Sequence, residues 1–99
     1  MKEINESNFT SLKKGDLIVE IHCDDVTYWQ YLMIHPNNDN YVLMIEGISK
    51  DAKKIYIPTL IDGGYFTDYT LKEVYQKQIE GLEKRISYLK LRINKEDKL

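Results

Sequence analysis

Two apolar runs, VTYWQYLMIH (residues 26–35) and NYVLMIEGIS (residues 40–49), face each other across Pro36, Asn37, Asn38 and Asp39. β-Branched and aromatic side chains suit a pleated, half-buried surface. Proline followed by Asn and Asp supplies the fixed φ and the left-handed tolerance of a tight reversal. The pattern therefore predicts a long β-hairpin over residues 26–49, around which everything else in the chain has to fit. By simple alternation, Tyr28, Leu32 and Ile34 point one way and Trp29, Tyr31 and Met33 the other, so both faces of the hairpin are apolar.

The flanking segments add shorter strands. LIVEIHC (residues 17–23) follows a turn at Lys13, Lys14, Gly15 and Asp16. It places Leu17, Val19, Ile21 and Cys23 on one face and Ile18, Glu20 and His22 on the other. Asp24 and Asp25 break the run. After a turn over residues 50–53, KIYIPTL (residues 54–60) reads as a fourth strand that ends at Pro58 or lies at an edge, because proline cannot donate to a ladder. Asp62, Gly63 and Gly64 mark another reversal, and residues 65–69 form a short fifth strand or turn. Four or five short strands at this spacing predict a small antiparallel barrel.

With 99 residues, one domain is expected. A chain of this size needs neither metal nor disulfide to hold a core. The single cysteine, Cys23, cannot form an intrachain bridge. Residues 1–14 are polar with isolated Ile4, Phe9 and Leu12, and no apolar run approaches 20 residues. The expectation is a protein of the cytoplasm with no membrane partner. Charge is uneven: residues 1–71 carry six lysines against eleven acids, a balance of −5, and residues 72–99 carry eight basic groups against five acids, a balance of +3. An acidic head is poor ground for a nucleic-acid module.

The KKGDLIVEI opening, in which a Lys-Gly-Asp turn feeds an apolar strand, leads into a bent hairpin and a last short strand. Over residues 12–69 this resembles the SH3-like small barrels of KOW or Tudor type. The resemblance implies an α+β chain in which a four- or five-stranded SH3-like barrel (residues 1–69) precedes a long C-terminal helix (residues 70–99) within one structural domain.

Thr70 and Glu73 make a capping-box pattern for that helix. Tyr75, Ile79, Leu82, Ile86, Leu89 and Ile93 then recur at steps of 4, 3, 4, 3 and 4. Ile79, Ile86 and Ile93 fall at heptad position a, and Tyr75, Leu82 and Leu89 at d, a combination that favours parallel two-stranded coiled coils. Gly81 lies at c, off this ridge, at a cost of about 1 kcal/mol against alanine. Leu91 lies at f and hints at contact on a third face. The ridge can be sheltered by the chain's own barrel or by a second copy. The strict 3.5-residue period favours a second copy and hence a homodimer. A parallel pair would set Arg85 beside Lys90 of its mate, whereas an antiparallel pair matches Glu83 with Lys90.

Chemistry is sparse. His22 and Cys23 point to opposite faces of a strand and cannot share a metal, and Gly63–Gly64 lacks the Lys-Ser/Thr of a phosphate loop. No catalytic residue, metal site or cofactor is expected, and the chain is not read as an enzyme. Aromatics are abundant, with eight tyrosines, two phenylalanines and one tryptophan. SH3-like barrels often use a surface Tyr/Trp cluster to dock peptides or stack bases. Trp29, Tyr31, Met33 and Tyr56, with the acidic turn at Asp24 and Asp25, are the candidate partner-binding residues; Tyr65 and Tyr69 are further aromatics of this kind. For nucleic acid, the supporting groups would be Lys13, Lys14, Lys50, Lys53 and Lys54, or Lys84, Arg85, Lys90 and Arg92.

Richness in Lys, Ile, Asn and Tyr, brevity, and a barrel with a terminal helix resemble the small accessory proteins of bacteriophages and mobile elements. That likeness implies a non-enzymatic dimer in a bacterial host cell. It would bind a host or phage protein, for instance as an inhibitor of a defence nuclease. A nucleic-acid-binding module that uses the basic helix is the alternative.

Overall fold

The computed structural model describes residues 1–97. Its strands are β1 (Lys2–Glu3), β2 (Leu17–His22), β3 (Asp25–Ile34), β4 (Tyr41–Glu46), β5 (Ala52–Tyr56) and β6 (Tyr65–Thr67). A 3-10 turn (Phe9–Ser11), a short helix α1 (Ile57–Leu60) and a long helix α2 (Leu71–Asp97) complete the chain. The fold is α+β, an antiparallel sheet of order β1-β6-β2-β3-β4-β5 with one long C-terminal helix.

The predicted hairpin is β3 and β4, with Ile34 opposite Val42. Its reversal is two successive turns: the Asn38 N–H donates to the His35 carbonyl, and the Tyr41 N–H to the Asn38 carbonyl. Pairing slips between Tyr31 and Met33, so Leu32 is the extra residue of a β-bulge. Simple alternation therefore fails there. Tyr31 lies opposite Met44 and Met33 opposite Leu43, which puts Tyr31 and Met33 on different faces.

The sheet is open, so the expected closed SH3-like barrel is not formed. Strands β1 and β5 are its two edges and do not pair with each other. The segment expected to extend as a strand to Leu60 coils into α1 at Ile57, with Pro58 in the first turn, where its missing N–H costs nothing. Strand β5 therefore stops after five residues.

Each face of the sheet carries its own core. On one face Ile18, Trp29, Tyr31, Val42, Met44 and Tyr65 are buried beneath Ile4 and Leu60, with Phe9, Leu12, Ile55, Ile57 and Ile61 packed around them. On the other face α2 packs against β2, where Val19 and Val74 are fully buried. The capping box forms as predicted. Thr70 Oγ1 accepts from the Glu73 N–H at 3.2 Å, and Glu73 Oε1 accepts from the Thr70 N–H at 2.9 Å. Glu73 also holds the Met1 ammonium. That ammonium, and after it the Thr70 N–H, keeps the Glu73 carboxyl below the usual carboxylate range.

Candidate interaction surface

The helix α2 is 27 residues long, about 40 Å at 1.5 Å per residue. It touches the head only along its first half. The Gln78 side chain donates to the Asp24 carbonyl at 3.1 Å, and Arg85 Nη1 pairs with Asp24 Oδ1 at 2.9 Å. Gly81 is buried against the β2–β3 turn, and the Cys23 thiol donates to the Gly81 carbonyl at 3.4 Å. Lys77 Nζ lies over the Phe66 ring, 5.6 Å from its centroid. Beyond Arg85 the helix leaves the head, and the molecule is accordingly 56 Å long but under 30 Å wide.

The predicted seam stays outside all of these contacts. Tyr75, Ile79, Leu82, Ile86, Leu89 and Ile93 are each between 42% and 59% exposed. At roughly 100° per residue the ridge stands about a quarter-turn round the helix from the Val74–Gly81 stripe that meets the sheet. The head therefore does not cover it. Leu91, 66% exposed, points away from both the head and the ridge.

The predicted partner-binding residues do not converge. Trp29 and Tyr31 are 7% and 5% exposed; they are core residues and present no surface. Their side of the bulged hairpin faces the Ile4–Leu60 cover, which sequence alternation could not reveal. Tyr65 is buried for the same reason. Met33 is exposed on the opposite face, and Tyr56 lies at the β5 edge against Tyr41, 5.3 Å between ring centroids. Tyr69 packs near Tyr28. Asp25 is exposed, while Asp24 is tied to α2. Cys23 is exposed in the two-residue β2–β3 loop with φ of 60°, and not in the core strand where its spacing put it.

One constellation escaped the sequence reading. Glu20 Oε1 accepts from Trp29 Nε1 at 2.9 Å, and its Oε2 lies 2.7 Å from His22 Nε2. Burial, and then the Glu20 carboxylate, push the Tyr65 hydroxyl well above its usual range. The i, i+2 spacing of Glu20 and His22 along one strand face was the available signal. The group ties β2, β3 and β6 together, with His22 partly open to solvent. Among the described residues no three His, Cys, Asp or Glu side chains gather as a metal site.

Several basic groups are committed inside the chain. Lys53 pairs with Glu46 and sits 5.9 Å from the Trp29 ring centroid, and Lys54 lies over Tyr41. Arg85 belongs to Asp24, and Arg92 lies over the Tyr88 ring. No helix among the described residues is long and apolar enough to cross a membrane. The molecule is defined by an open antiparallel sheet carrying a projecting helix with an uncovered apolar ridge. Comparison with family models, curated proteins and solved structures found no match to this chain.

Proposed function

We propose that this chain is a non-enzymatic interaction protein that self-associates through α2. The observation that carries the reading is the continuous ridge from Tyr75 to Ile93, half-exposed at every step on a helix that the head holds by a different face. Six apolar side chains in heptad register gain most from a mate with the same spacing. The experiment is light scattering on the wild type and on Ile86→Asp. A dimer that falls to a folded monomer on substitution supports the proposal, and a monomeric wild type at high micromolar concentration removes it.

The dimer's task, on this proposal, is to grip another protein with the head, working inside a bacterial cell as phage-type modulators of host or phage proteins do. The likeness of residues 12–69 to an SH3-like head belongs to this proposal, with the barrel opened at β5. Available surface includes Met33, Tyr56, Asp25 and Ile48, the last fully exposed on the β4–β5 turn. Nucleic-acid binding is the second reading. It draws on Lys84, Lys90 and Arg92 along α2, and predicts retention on DNA or RNA that weakens steeply with salt.

A further inference from the structure

We infer that the two copies pair antiparallel, each helix laying its projecting half beneath the other's head; this rests on the proposed self-association through α2. The orientation follows from which way the ridge looks. Lys77 reaches Phe66 of β6, whereas Gln78 and Arg85 reach Asp24, which leads into β3. Passing round the helix from Lys77 through Gly81 to Arg85 therefore moves from the β6 side to the β3 side. The ridge lies a further quarter-turn in that direction. A helix seated on it runs beside α2, under the part of the sheet that α2 leaves bare.

That bare strip is apolar apart from the exposed Gln30. Beside Val19 on that face stand Tyr28 (paired with Val19), then Gln30, and Ile45 paired with Gln30. Tyr28 is 38% exposed and Ile45 half-buried. What a second helix offers the strip depends on its direction. In an antiparallel pair the two-fold axis runs across both helices, so each turns the same stripe toward the sheet. In the projecting half that stripe holds Tyr88 and Arg92, already stacked on each other at 5.8 Å. In a parallel pair the two-fold runs along the helices and presents the opposite side, where Gln76 and Glu83 stand. An aromatic and cationic plate suits Tyr28 and Ile45 and leaves the Gln30 carbonyl oxygen as an acceptor for Arg92; the Glu83 carboxylate would lose its water there for the Gln30 amide alone.

Charge agrees. The basic tail of one chain meets the acidic head of the other, whereas a parallel pair crowds two heads of balance −5 at one end. Arg85 is neutralised by Asp24, so its repulsion of Lys90 no longer decides the direction and the strip does. Full overlap of the ridge then sets Tyr75 opposite Ile93, Ile79 opposite Leu89 and Leu82 opposite Ile86. The two Ile93 residues stand about 27 Å apart.

Cysteine cross-linking tests this in a Cys23→Ser background. Oxidation should leave Ile93→Cys unlinked and convert the double variant Tyr75→Cys/Ile93→Cys to a covalent dimer. Separately, Tyr88→Ala, off the ridge, should weaken dimerisation roughly a hundredfold, because the two-fold loses two docked side chains at roughly tenfold each. Efficient linking of Ile93→Cys alone overturns the inference, as does a dimer that links in neither variant. Unchanged dimerisation of Tyr88→Ala overturns the docking on the strip. A wild type that never dimerises removes the self-association itself, a result that light scattering separates from the others.

Discussion

A methyl group on Gly81 would overlap the carbonyl group of Cys23. The helix can cross the β2–β3 loop this closely only because residue 81 has no side chain. Cys23 turns its backbone toward the helix with φ of 60°, at the loop position that type II′ hairpins usually give to glycine. Two conformationally awkward choices meet at one contact, which fixes where α2 leaves the head.

Gly81→Ala should therefore destabilise the protein, although alanine favours a helix by about 1 kcal/mol. The obstacle is backbone and not the end of a flexible side chain. A net loss of about 1–3 kcal/mol is expected. Thermal unfolding measures it, and amide exchange should show faster opening at Cys23 and Asp24. A gain in stability would mean that the helix lifts off the loop at no cost.

Removing the Glu20 carboxylate should strand the Trp29 indole N–H in a site only 7% exposed. Glu20→Ala is expected to cost about 1–3 kcal/mol. Urea unfolding followed by the emission of the single tryptophan reads both the stability and the site. Glu20→Gln, which keeps an acceptor for the indole, should recover most of the loss.

Glu73 gives a pH dependence of known sign. Its carboxyl is held below its ordinary 4.5 in the folded chain by the Met1 ammonium and the Thr70 N–H. The stabilisation it provides is present above pH 4.5 and fades as pH falls through the lower, folded value. Urea midpoints taken below pH 4.5 should fall less steeply for Glu73→Gln than for the wild type. Thr70→Ala should cost about 1 kcal/mol at neutral pH by loss of the cap.

Local signals were the legible ones. The β3–β4 hairpin, the turn at Pro36–Asp39, the capping box and the Tyr75–Ile93 ridge depend on neighbours a few residues away, and all of them appear in the fold. The failures came from contacts distant in sequence. The bulge at Leu32 reversed which face of the hairpin the later residues occupy, and the Ile4–Leu60 cover buried Trp29 and Tyr31. Pro58 was compatible with a strand end and with a helix start; the sequence between Ile57 and Leu60 does not distinguish them. Gly81 carried only its propensity cost in the sequence, because its reason lies 58 residues away at Cys23.

A sheet that does not close leaves two rims of unpaired amides, each a template on which another chain could add a strand and start a fibril. Here β1 offers a rim of only two residues, and β5 lines its own with Lys53 and Lys54. With Lys53 paired to Glu46, it is the Lys54 charge that a like strand arriving there meets. A short rim at one edge and lysines along the other are the devices by which open sheets discourage edge-to-edge pairing.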